Sequence, residues 1–111
     1  MNIKEIAFIG EDQLSRGFRL VGIESTINAV GEEGALKLTE AFNSGKYSVI
    51  MVSDSIRKFV DRRLLSLIDI SPEPLVIFLP VVGAVDEESV EVLAKRILGV
   101  DIGGAVVGDN S

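Results

Sequence analysis

Apolar and polar positions along the chain follow two periods in turn. Four short runs, residues 6–9 (IAFI), 26–30 (TINAV), 47–52 (YSVIMV) and 75–79 (LVIFL), carry no charge and are rich in Val, Ile and Phe. Such runs predict buried strands. Between them the spacing becomes helical. Leu14, Phe18 and Val21 fall at i, i+4 and i+7, and Ile56, Phe59, Val60, Arg63 and Leu64 share one face of a third helix. The second helix, over about 32–43, groups Ala35, Leu38, Thr39 and Phe42 and stops before Asn43-Ser44-Gly45. The fourth, over 86–98, opens on Asp86 as N-cap with Glu87 and Glu88 in its first turn. It stacks Val90, Leu93, Ala94, Ile97 and Leu98 and ends at Gly99.

Strands separated by helices are βαβ units, whose right-handed crossovers force a parallel sheet with helices on its faces. The expected fold is therefore a small three-layer α/β domain. Its four-stranded parallel sheet takes the flavodoxin- or receiver-like order 2-1-3-4, with about four helices and a crevice at the carboxyl ends of the first and third strands. One domain is expected over 1–98. The segment 71–74 (SPEP) is a loop too short to link domains, and 99–111 reads as a glycine-rich tail, a fifth strand over 104–107, or a segment ordered by a partner.

A chain of 111 residues with 47% hydrophobic and 25% charged residues can bury a single core without staples. The absence of Cys and His removes disulfides, thiolate chemistry and the commonest general base and zinc ligand. A net charge of −6 argues against a nucleic-acid partner. The longest uncharged stretch, LVIFLPVVGAV, is about half of the ~20 residues a spanning helix needs, and Pro80 interrupts it. The start MNIKEIAFIG lacks the basic and apolar regions of a signal peptide, so a cytoplasmic protein without a membrane span is expected.

The junction after the first strand has a single glycine, Gly10, followed by Glu11 and Asp12. A dinucleotide fingerprint needs three glycines, no phosphate loop occurs elsewhere, and two carboxylates at a helix N-terminus satisfy its N–H groups while repelling phosphate. No cofactor is expected. Together with Asp54 after the third strand, these carboxylates resemble the site of a response-regulator receiver, in which three acids hold Mg²⁺ and one aspartate accepts a phosphoryl group. That alternative makes Asp54 the phosphoacceptor. The receiver pattern also wants a hydroxyl residue ending the fourth strand and a lysine ending the fifth, whereas here the fourth ends Leu79-Pro80 and 104–107 has no lysine. The simpler reading of Asp54 is a helix N-cap, with Ser53 an equal candidate. Arg16, Arg19 and the pair Arg62-Arg63 read as a solvated face or as partners of nearby acids.

The stretch GEDQLSRGFRLVGI, and within it Gly17-Phe18-Arg19-Leu20-Val21-Gly22-Ile23, resembles the opening motif of the F subunits of the V-type and archaeal (A-type) rotary ATPases, with Val21 where alanine is usual. The run VIMVSDSI, the fourth strand ending at Pro80 and the ending AKRILGVDI agree. The resemblance covers nearly the whole chain, the part after Ile102 being least typical. It implies a non-catalytic component of the central stalk, bound to the coiled-coil stalk subunit and through it to the catalytic head. Such a component lies at the inner face of the membrane by way of the complex and helps couple ATP turnover to rotation and ion translocation. On this reading the opening junction is a turn whose acids cap a helix, and Gly17 and Gly22 permit close packing around Phe18, which faces the sheet.

Most of the apolar face of the fourth helix belongs in the core. Five buried side chains at about 1.5–3 kcal/mol each contribute on the order of 10 kcal/mol to folding. Arg96 and Ile97 lie at its C-terminal end and Val100 and Ile102 beyond it, where apolar residues have no obvious place in a four-stranded core. The resemblance puts that segment near the stalk, so these four, with Arg19 as a second patch, are the expected partner-binding residues.

Overall fold

A computed structural model describes residues 4–80. The expected fourth helix, the tail 99–111 and the candidate strand 104–107 lie outside the described residues, as does the division of the chain at 98.

The first apolar run forms β1 (Glu5–Gly10), followed by α1 (Asp12–Leu20), β2 (Ser25–Asn28), α2 (Gly31–Ser44) and β3 (Tyr47–Ser53). A 3₁₀ segment (Asp54–Phe59), α3 (Arg62–Ile70) and β4 (Leu75–Leu79) complete the described part. The strands pair in parallel in the order β2-β1-β3-β4, with Phe8 level with Thr26 and Met51, and Met51 level with Ile77. This is the expected α/β architecture and strand order.

Because successive strand residues point to opposite faces, β1 and β3 supply two cores. Ala7, Ile9, Ile50 and Val52 pack with Leu38 and Ala41 of α2, Ile56 of the 3₁₀ segment and Leu64 of α3. Phe8 and Met51 pack on the opposite face with Leu14 and Phe18 of α1, Ile23 and Leu79. Phe18 is fully buried and its ring stacks on that of Phe8 at 4.8 Å between centroids, so the expectation that it faces the sheet holds. Burial of such a side chain is worth about 1.5–3 kcal/mol, and the ring pair adds about 0.5–1.5 kcal/mol.

Three details differ from the pattern-based expectations. The second strand stops at Asn28: Ala29 turns the chain, its N–H donating to Gly10 O at 3.1 Å, and Val30 is the extended N-cap residue of α2. Helix α2 runs on through Ser44, because Asn43 and Ser44 donate back to the carbonyls of Thr39 and Ala41 at 3.0 and 2.8 Å. Gly45, at φ 75°, then supplies the left-handed stop.

The third difference is larger. The single helix expected from Ile56 to Leu64 is broken: Val60 is extended, and Asp61 opens a new helix by accepting from Leu64 N–H at 2.8 Å. A short acid placed three residues ahead of a free N–H favours a helix start over helix continuation. Ile56, Val60 and Leu64 still reach one core, which is why their spacing looked helical, while Phe59 and Arg63 are exposed.

Candidate functional site

Glu11 follows β1 directly and occupies the N-cap position of α1, yet its side chain makes no capping hydrogen bond. Its Oε2 instead accepts from Ser55 Oγ at 2.9 Å, and Ser55 Oγ lies 2.9 Å from Ser53 Oγ. The carboxylate therefore reaches from the end of β1 to the end of β3, with its second oxygen, Oε1, buried and without a hydrogen-bond partner among the described residues. Asp12 does not cap through its side chain either: Oδ1 accepts from Asn28 Nδ2 at 2.9 Å, tying α1 to β2, and Oδ2 faces Arg16 Nε at 3.4 Å. The expectation that both acids cap α1 is corrected accordingly. Side-chain partners across the crevice outcompete the helix N–H groups.

Asp54 lies one residue beyond β3 and pairs with Arg57 Nε at 3.2 Å, its side chain 52% exposed. Ser53, not Asp54, caps the 3₁₀ segment, accepting from Ser55 N–H. Ser53 is fully buried at the end of β3, the position a strand-end phosphoacceptor would take. Glu11, Asp12 and Asp54 thus engage separate partners, Ser55 for the first, Asn28 and Arg16 for the second and Arg57 for the third. Among the described residues no three acidic, His or Cys side chains gather as a metal site. The arrangement joins strand ends to the following helices, and at Asp54 an arginine takes up the carboxylate.

An open cleft of about 330 Å³ borders these acids over the carboxyl ends of β1 and β2, lined by Gly10, Glu11, Asp12, Asn28, Val30 and Glu33 among others. Three carboxylates at this point disfavour phosphate, in spite of the helix N-termini nearby. Gly10 is required by close packing: a Cβ there would sit 2.5 Å from Phe8 Cζ and 2.9 Å from Ser53 Cβ.

Arg19 is exposed near the end of α1, where a cation suits the helix dipole, and Nη1 donates to Thr26 Oγ1 at 2.8 Å, bracing the helix against the edge strand β2. Leu20 beside it is 59% exposed. Gly22 has φ 102° and a Cβ there would meet nothing within 4 Å, so this glycine serves a turn and not the close packing expected of it. Arg96, Ile97, Val100 and Ile102 lie outside the described residues.

Three exposed apolar residues carry no signal in the sequence pattern. Leu67 and Ile70 of α3 and Leu75 at the start of β4 are exposed, Ile70 to 78%. The pattern alone could not separate them from core positions. Among the described residues no helix is long and apolar enough to cross a membrane.

Comparison with known proteins places this architecture. The family described as ATP synthase (F/14-kDa) subunit matches residues 6–97. A curated relative from Thermoplasma volcanium, the F subunit of an A-type ATP synthase, is 46% identical over 98 residues, covering 88% of this chain and 94% of the relative. Its counterpart from Thermoplasma acidophilum, of the same name, is 44% identical with the same coverage. The crystal structure of the F subunit of the V-type ATP synthase from Archaeoglobus fulgidus superposes with a TM-score of 0.61 over 70% of this chain and 99% of that one, at 22% identity. That likeness concerns the fold, while the match over residues 6–97 and the two Thermoplasma relatives carry the identity: the chain belongs to the ATP synthase (F/14-kDa) subunit family.

Proposed function

We propose that the protein is a non-catalytic central-stalk component of an A-type ATP synthase, held on the coiled-coil stalk subunit and through it on the catalytic head. Its task is mechanical: a rigid α/β body bound tightly enough to turn with the stalk, helping to couple ATP turnover to rotation and ion translocation. The family match over residues 6–97 carries this reading. The crevice supports it, because Glu11 and Asp12 bind β3-end and β2 side chains and Asp54 an arginine, so the acids of the described site tie the fold together. The protein is then cytoplasmic and peripheral, at the inner face of the membrane only by way of the complex.

The partner surface in this reading consists of Arg96, Ile97, Val100 and Ile102, with Arg19 as a second patch. Arg19 keeps its guanidinium exposed while Thr26 fixes its direction, so little rotamer freedom remains to be lost on binding. The test is a calorimetric titration of the coiled-coil stalk subunit with the full chain and with a chain lacking residues 99–111. The expected result is a loss of about tenfold or more in affinity, about 1.4 kcal/mol, with an unchanged melting profile. Equal affinity for the two chains rejects the C-terminal surface, and no binding by the full chain rejects the stalk role.

A further inference from the structure

The proposed stalk contacts leave unused a concentration of positive charge on an otherwise acidic chain. Arg57, Lys58, Arg62 and Arg63 are four of the 11 Lys and Arg residues, all within 57–63 and all exposed. They are not equivalent. Arg57 serves the fold: it pairs with Asp54, and its guanidinium carbon stands 4.4 Å from the centroid of the Phe78 ring. Lys58 Nζ lies 5.4 Å from the centroid of Phe59, a ring that is 42% exposed beside the following helix start. The side chains of Arg62 and Arg63 have neither an ion pair nor a hydrogen bond among the described residues.

The two arginines also oppose the local electrostatics. They open α3, whose first turn has no acidic residue inside it, where exposed N–H groups and the positive end of the helix dipole favour carboxylates. The Asp61 cap answers that field in part, through its bond to Leu64 N–H. A local arrangement that works against its own helix marks a position kept for another purpose.

We propose that Lys58, Phe59, Arg62 and Arg63 form a docking surface for an acidic segment of a neighbouring protein of the complex. Arginine forks pair with carboxylates in two-pronged fashion, and an exposed aromatic ring supplies the apolar anchor that such contacts need. The partner is a protein rather than a polyphosphate or a lipid surface for two reasons. The whole chain carries −6, and Asp54 and Asp61 stand within the basic cluster. A continuous sheet or line of negative charge meets those acids as well, whereas a protein can place carboxylates opposite the three cations and leave the acids facing water. The inference rests on membership of a multisubunit complex.

The test is zero-length carbodiimide coupling, which joins amines to carboxylates, in the purified complex containing this chain. A second preparation carries Arg62→Lys and Arg63→Lys to place amines at those sites. The expected result is coupling of positions 58, 62 or 63 to Asp or Glu of another subunit. In addition, the triple variant Lys58→Glu, Arg62→Glu, Arg63→Glu should be retained in the complex at least about tenfold less than wild type, and Lys37→Glu should be retained normally. Coupling only within the chain, or only through Lys4, Lys37, Lys46 and Lys95, overturns the proposal. Should the triple variant fail to fold, the coupling result decides alone. Loss of the wild-type chain from the complex overturns the stalk reading and this surface with it, whereas assembly without coupling at these positions overturns this surface alone. Sedimentation of the free chain with phosphatidylglycerol vesicles, abolished by the triple variant, overturns the protein partner in favour of a membrane.

Discussion

Gly34 sits in the first half of α2, where the helix presses on the 3₁₀ segment. A Cβ at this position would lie 2.7 Å from Ile56 Cδ1, 2.9 Å from Ile56 Cγ1 and 3.1 Å from the Ala29 carbonyl oxygen. Two effects of Gly34→Ala therefore compete. Alanine favours the helix by about 0.5–1 kcal/mol relative to glycine. Overpacking a filled core costs about 1–3 kcal/mol, and here the neighbour has little room to move. Ile56 is fully buried, and the Ala29 carbonyl belongs to the tight turn into α2. The net expectation is a loss of about 1 kcal/mol, or roughly 4–8 °C in Tm for a domain of this size. Urea unfolding followed by circular dichroism measures it. Ile56→Val, which removes Cδ1, should rescue part of the loss, so that the double variant is more stable than the sum of the two single effects predicts, by about 0.5 kcal/mol or more. A Gly34→Ala protein more stable than wild type by the full helix-propensity gain would refute the close approach of α2 to the 3₁₀ segment.

Other outcomes follow from the same contacts. Asp61→Ala removes the cap that restarts the chain as α3 and should cost about 1 kcal/mol in thermal or urea unfolding, whereas Asp61→Asn should cost much less. Phe18→Ala opens a cavity under α1 and should cost about 3–5 kcal/mol by the same assay, a large share of the stability of one domain. Asp54→Ala should leave stability within about 0.5 kcal/mol, since its ion pair with Arg57 is half exposed. Wild type incubated with acetyl phosphate and Mg²⁺ should gain no phosphate by intact-protein mass spectrometry, and a phosphorylated Asp54 would restore the receiver reading.

The sheet was legible because its strands are short, uncharged and separated by stretches of a different period. For β4 the apolar run and the strand coincide, and at α2 Gly45 of the expected stop signal does end the helix, beyond the last residue of the apolar pattern. The broken third helix was hidden by its own periodicity. Ile56, Val60 and Leu64 enter one core from a 3₁₀ turn, an extended residue and an α-helix in succession, and only the hydrogen bond of Asp61 separates that path from a continuous helix. At the crevice the residue types were evident but their partners were not. Glu11 and Asp12 were read as caps because they precede a helix, a local argument. Their actual partners, Ser55 and Asn28, come from β3-end and β2 positions that parallel pairing brings alongside β1. Membership of the family was legible in the run from Gly17 to Ile23, although Phe18 serves the core, Arg19 braces an edge strand and Gly22 serves a turn.

Whether this chain acts as a bound mechanical part of an A-type ATP synthase is decided by what travels with it, and a gentle affinity purification reads that out. The tagged protein would be recovered from its native host membranes and the proteins accompanying it identified and quantified by mass spectrometry. A central-stalk component should bring down the coiled-coil stalk subunit together with the catalytic subunits of the head. Recovery of the tagged chain without them, or with a histidine kinase in their place, would contradict the stalk role.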